Sequence, residues 1–455
     1  MTGETTRQKQ HPSRDLSGAY RAVWRWHFYA GLLVLPVLML MAVTGGLYLF
    51  KTEIDSLVYG GMSHVQARPA TTSPDLWVAS AEAGTGGKVS SLIVPDRPDE
   101  AVRLTIDLPA GAKRTAFVDP HGARLIGTTA FGGVMETVKQ LHSLSLAGPW
   151  ANYLVEIVAG WAIILVATGV FMWWPRGRGV GIVSVTSSDA RRRPFWRDLH
   201  AVTGLYAGAI IAFLVVTGMP WSTFWGGQYM GFVKDQGLGR PKPPAGAFAH
   251  AEHQNAPIGV GWTMEDMLMP GEPVINPPAA RLATVVSAAD DAGLARPYTV
   301  SIPTDPGLSW TAARVIEQVE DTRILYIDGA TGAVRADARW GQFGVGAKAF
   351  EWGIAVHQGT QYGWINRYLM LAGCVAIWLL SISGIVMWWK RRPPKIAKKG
   401  RIGAPEAPPG PRVRAAVLGI VLPLAILYPL TGLSLAAALL LDLALRRPRK
   451  TAVPG

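Results

Sequence analysis

The sequence predicts an integral membrane protein: an all-α bundle of four main transmembrane helices in two tandem repeats, a C-terminal apolar segment and two α+β inserts. Three observations predict this class. Four apolar runs are each long enough, at about 20 residues, to span a bilayer. Eighteen tryptophans, several of them at the ends of these runs, are typical of interfacial aromatic belts. Basic residues cluster beside the runs, so the net charge of +13 indicates membrane topology rather than nucleic-acid binding.

An internal duplication organises the chain. The second apolar run follows a histidine and then a glycine and ends in Met-Trp-Trp, and the fourth run repeats this order without a gap, 215 positions later. The first and third runs share a histidine that stands 17 residues before a Thr-Gly pair. Lipid-facing composition makes any two spans look alike, but it does not place a histidine at the same distance from a Trp pair. The matched histidines are His142 with His357, and His27 with His200.

Apolar runs and polar stretches alternate along the chain and predict its topology. The loop after the second run and the stretch after the fourth are basic, which indicates that both lie in the cytoplasm with the N-terminus. Each long insert, then periplasmic, has strand-like alternation and a turn beginning at an aspartate, Asp119 or Asp328, so we expect a small α+β unit in each. The predicted segments are a cytoplasmic tail 1–22, spans 23–50, 140–175, 199–222 and 351–390, inserts 51–139 and 223–350, cytoplasmic segments 176–198 and 391–414, and an apolar run 415–445 that is either one kinked span or a hairpin.

The predicted topology sorts the four repeated histidines into two layers. His27 and His200 begin outward-going spans near the cytoplasmic face, whereas His142 and His357 precede inward-going spans near the outer face. A pseudo-two-fold relation between the halves would give each layer two imidazoles from different helices, as bis-histidine ligation of haem b requires. A lone histidine at a membrane interface is more often a simple polar residue. Four in duplicated register favour ligation, because ionisable groups at membrane depth tend to be functional.

Other residues near these histidines suit the same cofactor. Glycines make room for a flat macrocycle, and Arg25 and Arg197, together with Arg367, are candidates to pair with its propionates. The single cysteine, Cys374, lies inside a span. A chain with one cysteine cannot form an intramolecular disulfide, a cysteine-ligated iron–sulfur cluster or a covalent haem attachment through C-x-x-C-H. The remaining histidines singled out, His64, His121, His250 and His253, lie in the polar inserts and are weaker candidates for ligands.

The chain resembles the PepSY-associated transmembrane helix proteins, which are iron-regulated inner-membrane proteins of bacteria. The resemblance covers roughly residues 20–392, and the inserts resemble PepSY domains. It implies a haem-containing reductase of iron–siderophore complexes, with the four repeated histidines as the ligands of two haem b groups. The residues that carry it are Trp26-His27 with Thr44-Gly45-Gly46, Leu141-His142 with Thr168-Gly169 and Trp173-Trp174-Pro175-Arg176, Trp196-Arg197-Asp198-Leu199-His200 with Thr217-Gly218, and His357 with Ser383-Gly384 and Trp388-Trp389.

We therefore expect a di-haem oxidoreductase of the bacterial inner membrane. It would take electrons from a quinol or a cytoplasmic reductase and pass them to a periplasmic acceptor, with a ferric siderophore as the leading candidate. Two alternatives stay open. One is an uptake accessory or transporter for iron or siderophore that binds no haem. The other is a membrane regulator whose inserts bind peptides or a protease.

Overall fold

A computed structural model of the chain describes residues 13–175, 183–241, 281–303, 308–391, 418–419 and 422–445. The chain divides into two compact units. We call them the membrane unit, which contains Met1–Val43, His142–Gly227 and Met370–Gly455, and the sheet unit, which contains Thr44–Leu141 and Gln228–Leu369. Most of the Pro-rich start of the second insert lies outside the described residues, as do His250 and His253.

Among the described residues, four helices are long and apolar enough to cross a membrane, as the sequence predicts. Tryptophans flank two of them: Trp150 and Trp174 stand at the ends of one helix, Trp364 and Trp389 near the ends of another, and all four are 63–70% exposed. Exposed tryptophans at helix ends suit the polar boundary of a bilayer. The four helices are α1 (Ser13–Tyr48), α5 (Ala151–Trp173), α6 (Arg193–Gly218) and α10 (Gly363–Arg391).

The third span begins earlier than predicted. Helix α6 starts at Arg193 rather than at residue 199, with Pro194 in its first turn. Proline is favoured there because the missing N–H would have no partner within the helix and its backbone angle is already helical. Asp198, in the second turn, is fully buried and accepts hydrogen bonds from the backbone N–H and the hydroxyl of Thr186. The basic segment before the span is thereby tied to the helix.

Helices of the membrane unit pack through small and aliphatic side chains. Val34 of α1 and Ile164 of α5 belong to one buried cluster, and the ring of Trp26 stacks on that of Trp161 with centroids 6.4 Å apart. Helices α6 and α10 meet through Ala207, Ile211 and Ala376. Small residues at these contacts let neighbouring helices approach closely, which is the main source of helix association in lipid.

The last apolar run packs against α5. Helix α11 (Pro429–Leu445) follows a bend at Tyr428. Tyr428 precedes a proline, which disfavours helical backbone angles at the residue before it. At Gly160 a Cβ would lie 2.0 Å from Thr431 Oγ1, so only glycine permits this approach. The indole N–H of Trp161 donates to Ser434 Oγ at 2.9 Å.

The strands of both inserts form one antiparallel sheet. Its order within the described residues is β4-β3-β2-β1-β5-β6-β7-β8, and β1 pairs with β5 so that Ser91 faces Ser301. The sequence predicts one α+β unit per insert, whereas the structure joins them, because each four-stranded meander would otherwise leave β1 or β5 as an open edge. The strands are β1 (Lys88–Val94), β2 (Val102–Asp107), β3 (Lys113–Asp119), β4 (Arg124–Ala130), β5 (Tyr298–Ser301), β6 (Trp310–Arg314), β7 (Arg323–Ile327) and β8 (Val334–Arg339).

The two faces of this sheet differ because alternate side chains point in opposite directions. One face, with residues such as Leu104 and Leu325, forms the main core with α3 (Pro74–Thr85) and α8 (Leu282–Asp291). Trp77 of α3 and Tyr298 of β5 fill its centre. The opposite face is covered by α2 (Lys51–Ser63), α4 (Gly133–His142) and α9 (Val345–His357), and a further helix, α7 (Thr223–Asp235), follows the third span.

His121 ties the turn between β3 and β4 to the chain before the sheet and to the loop between β1 and β2. Its Nδ1 lies 2.8 Å from the carbonyl oxygen of Ala70, and its Nε2 lies 2.8 Å from that of Pro98. Carbonyl oxygens only accept hydrogen bonds, so both nitrogens donate when the ring is charged. These two bonds raise the pKa of His121 above its ordinary value of about 6.5.

The raised pKa makes this contribution to stability dependent on pH. It is complete below about pH 6.5 and is lost as the pH rises through the higher pKa of the folded state. We expect His121→Gln to lower the local unfolding free energy by about 2 kcal/mol at low pH, and by less at high pH. Hydrogen exchange of residues 65–72 and 97–101 checks this, with His64→Gln as the exposed control. A difference that stays constant from about pH 5 to about pH 9 would contradict the charged-ring interpretation.

Gly160→Ala is expected to destabilise the packing of α11 by about 1–3 kcal/mol, because the new Cβ collides with Thr431. Gly208→Ala is the matched control: its Cβ would meet only Val166 Cγ1, at 3.8 Å. The thermal unfolding midpoint and hydrogen exchange of residues 429–445, both in detergent, measure the effect. Equal behaviour of the two variants would show that α11 does not depend on this contact.

Candidate cofactor site

The structure brings together two of the predicted ligands. His27 of α1 and His200 of α6 lie in the membrane unit with ring centroids 6.2 Å apart and ring planes 82° apart. Both side chains are half-buried among the helices. The two imidazoles come from different repeats and different helices, which is the arrangement inferred for the first layer.

Each ring is anchored by a hydroxyl of another helix. His27 Nδ1 lies 2.9 Å from Thr168 Oγ1 of α5, and that hydroxyl donates its own hydrogen to the carbonyl of Ile164 at 2.6 Å. His200 Nδ1 lies 3.0 Å from Ser383 Oγ of α10, which likewise donates to the carbonyl of Leu379 at 2.6 Å. Because both hydroxyl hydrogens are already used, each histidine is the donor through Nδ1–H.

A carbonyl oxygen supports the same assignment at His200. Its Nδ1 lies 3.2 Å from the carbonyl of Leu380, an atom that can only accept. A neutral imidazole with its hydrogen on Nδ1 presents the lone pair of Nε2, the form in which histidine binds a metal. The two hydrogen bonds therefore select the tautomer that ligation needs and hold each ring in orientation.

Glycines lie beside both rings. A Cβ on Gly169 would stand 3.5 Å from Cε1 of His27, and a Cβ on Gly384 would stand 3.8 Å from Cε1 of His200. Cε1 lies between Nδ1 and Nε2 in the imidazole ring, so the two glycines occupy matching positions beside the two rings. The same hydroxyl-glycine pair thus stands beside both histidines.

The donor set fits an iron held between two axial imidazoles. Histidine nitrogens bind transition metals at about 2 Å, which separates the centroids of two opposed rings by about 6 Å. The centroid distance of 6.2 Å is compatible with that separation. His27 and His200 are the residues that would hold the iron of a haem, with Thr168 and Ser383 as the partners of their Nδ1 atoms.

The other two predicted ligands are placed in different units. His142 ends α4 and belongs to the membrane unit, where its ring donates to the carbonyl of Met41. His357 is the last residue of α9 and belongs to the sheet unit. The pairing of His142 with His357 stays a prediction.

The arginines predicted for propionate binding already have contacts within the chain. Arg197 donates to Asp198 through Nε at 2.9 Å and Nη2 at 2.7 Å. The guanidinium of Arg25 lies over the ring of Tyr29, 5.2 Å from its centroid. Arg367, in the sheet unit, forms an ion pair with Glu53. The role of Arg25 and Arg197 at a cofactor stays a prediction.

Sequence reasoning used Thr168 and Ser383 only as markers of the duplication. Their function as ring partners follows from the structure, because a hydroxyl on one helix and a histidine on another meet only when the helices pack. The signal was nevertheless present. Thr168 stands directly before a glycine in the second span, and Ser383 does so in the fourth. The spacing alone does not say which histidine each hydroxyl contacts.

A known family model covers most of the chain. No match is found among curated proteins. The family model of the PepSY-associated TM region matches residues 24–391, a range that includes the four repeated histidines, both inserts, most of the first span and all of the other three. Helix α11 lies beyond the match. The chain therefore belongs to the family of the PepSY-associated TM region.

Proposed function

We propose that this protein is a haem b oxidoreductase of the bacterial inner membrane, with two haems in each chain. It would carry electrons across the bilayer to a periplasmic acceptor, for which a ferric siderophore is the leading candidate. The observation that carries the proposal is the pair His27 and His200, with centroids 6.2 Å apart and each Nδ1 bound to a hydroxyl of a second helix.

The contribution of the chain is to bind, orient and shield. Haem, when bound, supplies one-electron oxidation and reduction of its iron. His27 and His200 would provide the two axial nitrogens, and Thr168 and Ser383 would fix their orientation and raise their basicity. Ile164 and Val34, both fully buried in the cluster beside Trp26, exclude water from the surroundings of α1 and α5.

His142 and His357 would form the second site of the proposed path. The chain would accept electrons from a quinol or a reductase at one face of the membrane and deliver them to the acceptor at the other. If the acceptor is a ferric chelate, its reduction to Fe(II) weakens binding by hard oxygen donors, because the ion then carries less charge. Iron would be released from the chelate, and this chemistry requires neither a nucleophile nor a general acid–base pair.

His27→Ala and His200→Ala are each expected to lower the haem content of detergent-purified protein from about two to about one per chain, because one axial nitrogen is lost. A pyridine haemochrome assay and the reduced α-band measure this. His64→Ala is the control, since His64 is an exposed histidine of the sheet unit, whose Nδ1 lies 3.3 Å from the carbonyl oxygen of Gly60. Colourless wild-type protein, after expression with ample haem, would reject the proposal and favour the uptake accessory or the regulator.

Thr168→Val is expected to keep haem bound but raise its reduction potential, because the ring of His27 loses an acceptor and becomes a weaker donor to Fe(III). Thr168→Ser restores the hydroxyl and should restore the potential. Spectroscopic redox titration gives both values. Ser434→Ala is the matched control: Ser434 also accepts an N–H from a ring of another helix, at 2.9 Å, but its partner is Trp161. An unchanged potential in Thr168→Val would show that this hydrogen bond does not tune the site.

A further inference from the structure

The shared sheet has two halves, β1–β4 from the first insert and β5–β8 from the second. The face opposite the main core differs between these halves. In the second half, Ala313, Ile324 and Tyr326 form a closed apolar cluster with Ala347 of α9. In the first half, the same face borders a cavity of about 380 Å³ walled by residues of α2, α4 and α9. The whole cavity lies within the sheet unit. A volume of this size is within the range of small-molecule sites.

Strand register shows which side chains open the first half. Thr105 pairs with Thr115 and Arg103 with Phe117, as Thr311 pairs with Tyr326 and Ala313 with Ile324. The counterpart of the bulky Tyr326 is therefore Thr115, and the counterpart of the buried Ala313 is Arg103. The fold can close this face, as its second half does, so the cavity results from particular side chains rather than from topology.

A rank of hydroxyls crosses the same face of the sheet. Cross-strand pairs place six of them side by side, and the four in the first half line the cavity. Hydroxyl groups both donate and accept hydrogen bonds, so such a rank suits a ligand rich in polar atoms. The rank consists of Thr129, Thr115, Thr105, Ser91, Ser301 and Thr311.

Charges of both signs line the cavity. Lys51 is attracted to Asp55 and Glu317, and Asp55 is attracted to Arg103 as well. Burial lowers the pKa of Lys51 and raises the pKa of Asp55, so both charges depend on opposite charges nearby. Two further cavity carboxylates, those of Glu136 and Glu351, have partners in Lys139 and Arg240.

Two buried polar atoms of the lining have no hydrogen-bond partner among the described residues. They are Oδ1 of Asp55, an acceptor, and Nε2 of Gln358, a donor. A buried polar atom without a partner costs free energy, and most such atoms in folded proteins are paired. Asp55 and Gln358 therefore each keep one unpaired polar atom in the wall of the cavity.

We propose that this cavity binds a small zwitterion that carries both a carboxylate and an ammonium group, such as a short peptide with free ends. The guanidinium of Arg103 matches a carboxylate in shape and charge, with Lys51 beside it. Asp55 and Glu317 match an ammonium group. A ligand with a net charge would meet like charges on one side, and an apolar ligand would bury the charged groups of the lining without a partner.

Isothermal titration of the full-length protein in detergent tests the proposal, with trialanine as the probe. N-acetyl-trialanine amide is the matched control, because it has the same backbone and no terminal charges. Trialanine is expected to bind saturably, and the capped peptide at least about tenfold more weakly, since each charged group loses its charge-assisted hydrogen bonds.

Two substitutions give the first half of the sheet the residue types that stand at the corresponding positions of the second half. Arg103→Ala removes the carboxylate partner, and Thr115→Tyr fills the cavity, so each is expected to weaken trialanine binding at least about tenfold. Lys88→Ala, at a side chain that is 84% exposed and outside the cavity, should bind as wild type. The thermal midpoint verifies that each variant is folded, and Arg103→Lys supplies a conservative second variant with intermediate affinity.

Three outcomes would overturn the proposal. The first is no saturable heat with trialanine, which would leave a cavity filled by water only. The second is equal affinity for the free and capped peptides. The third is wild-type affinity in both Arg103→Ala and Thr115→Tyr. The haem spectrum is recorded in the same samples, so a failure here is distinguishable from a failure of the haem proposal.

Discussion

The pairing of β1 with β5 is the contact on which the sheet unit depends. These strands lie about 200 residues apart in the chain, with two membrane spans between them, and four consecutive residues of each are in register. Without this ladder each insert would be a four-stranded meander with an unpaired inner edge. With it, α3 and α8 share a continuous core in which Leu92, Val300 and Leu325 are almost fully buried.

A second recurring device operates in the membrane unit. Each of the two histidines that come together there is bound through Nδ1 to a helix hydroxyl, and each hydroxyl is in turn bound to a carbonyl one turn earlier in its own helix. Such a chain of hydrogen bonds orients a ring without using Nε2. A hydroxyl group can serve here because it donates to its own backbone and still accepts from the imidazole.

The two inserts contribute strands in the same order to the sheet, but their side chains differ. The second half closes over Tyr326 and the first opens at Thr115. Helix α11 packs against α5 at Gly160, which has no side chain. A single glycine thus permits a contact that a larger residue would block.

Much of this protein is determined locally. Hydropathy specifies the four spans, because any segment in a bilayer must be apolar and satisfy its own backbone hydrogen bonds. The regular spacing of His27 and His200 from their Thr-Gly pairs was enough to predict that both belong to one kind of site. The hairpin turns at Asp119 and Asp328 were also readable, because an aspartate side chain accepts hydrogen bonds from the backbone that follows it.

Only the tertiary structure decided the contacts between distant segments. The joining of both inserts through Ser91 and Ser301, the partnership of His27 with Thr168 and the cavity at Arg103 all depend on which segments meet. Periodicity records which face of an element is buried, but not against which neighbour. The sequence by itself therefore determined the class of protein, the number of spans and the repeated histidines, whereas packing decided which groups face one another.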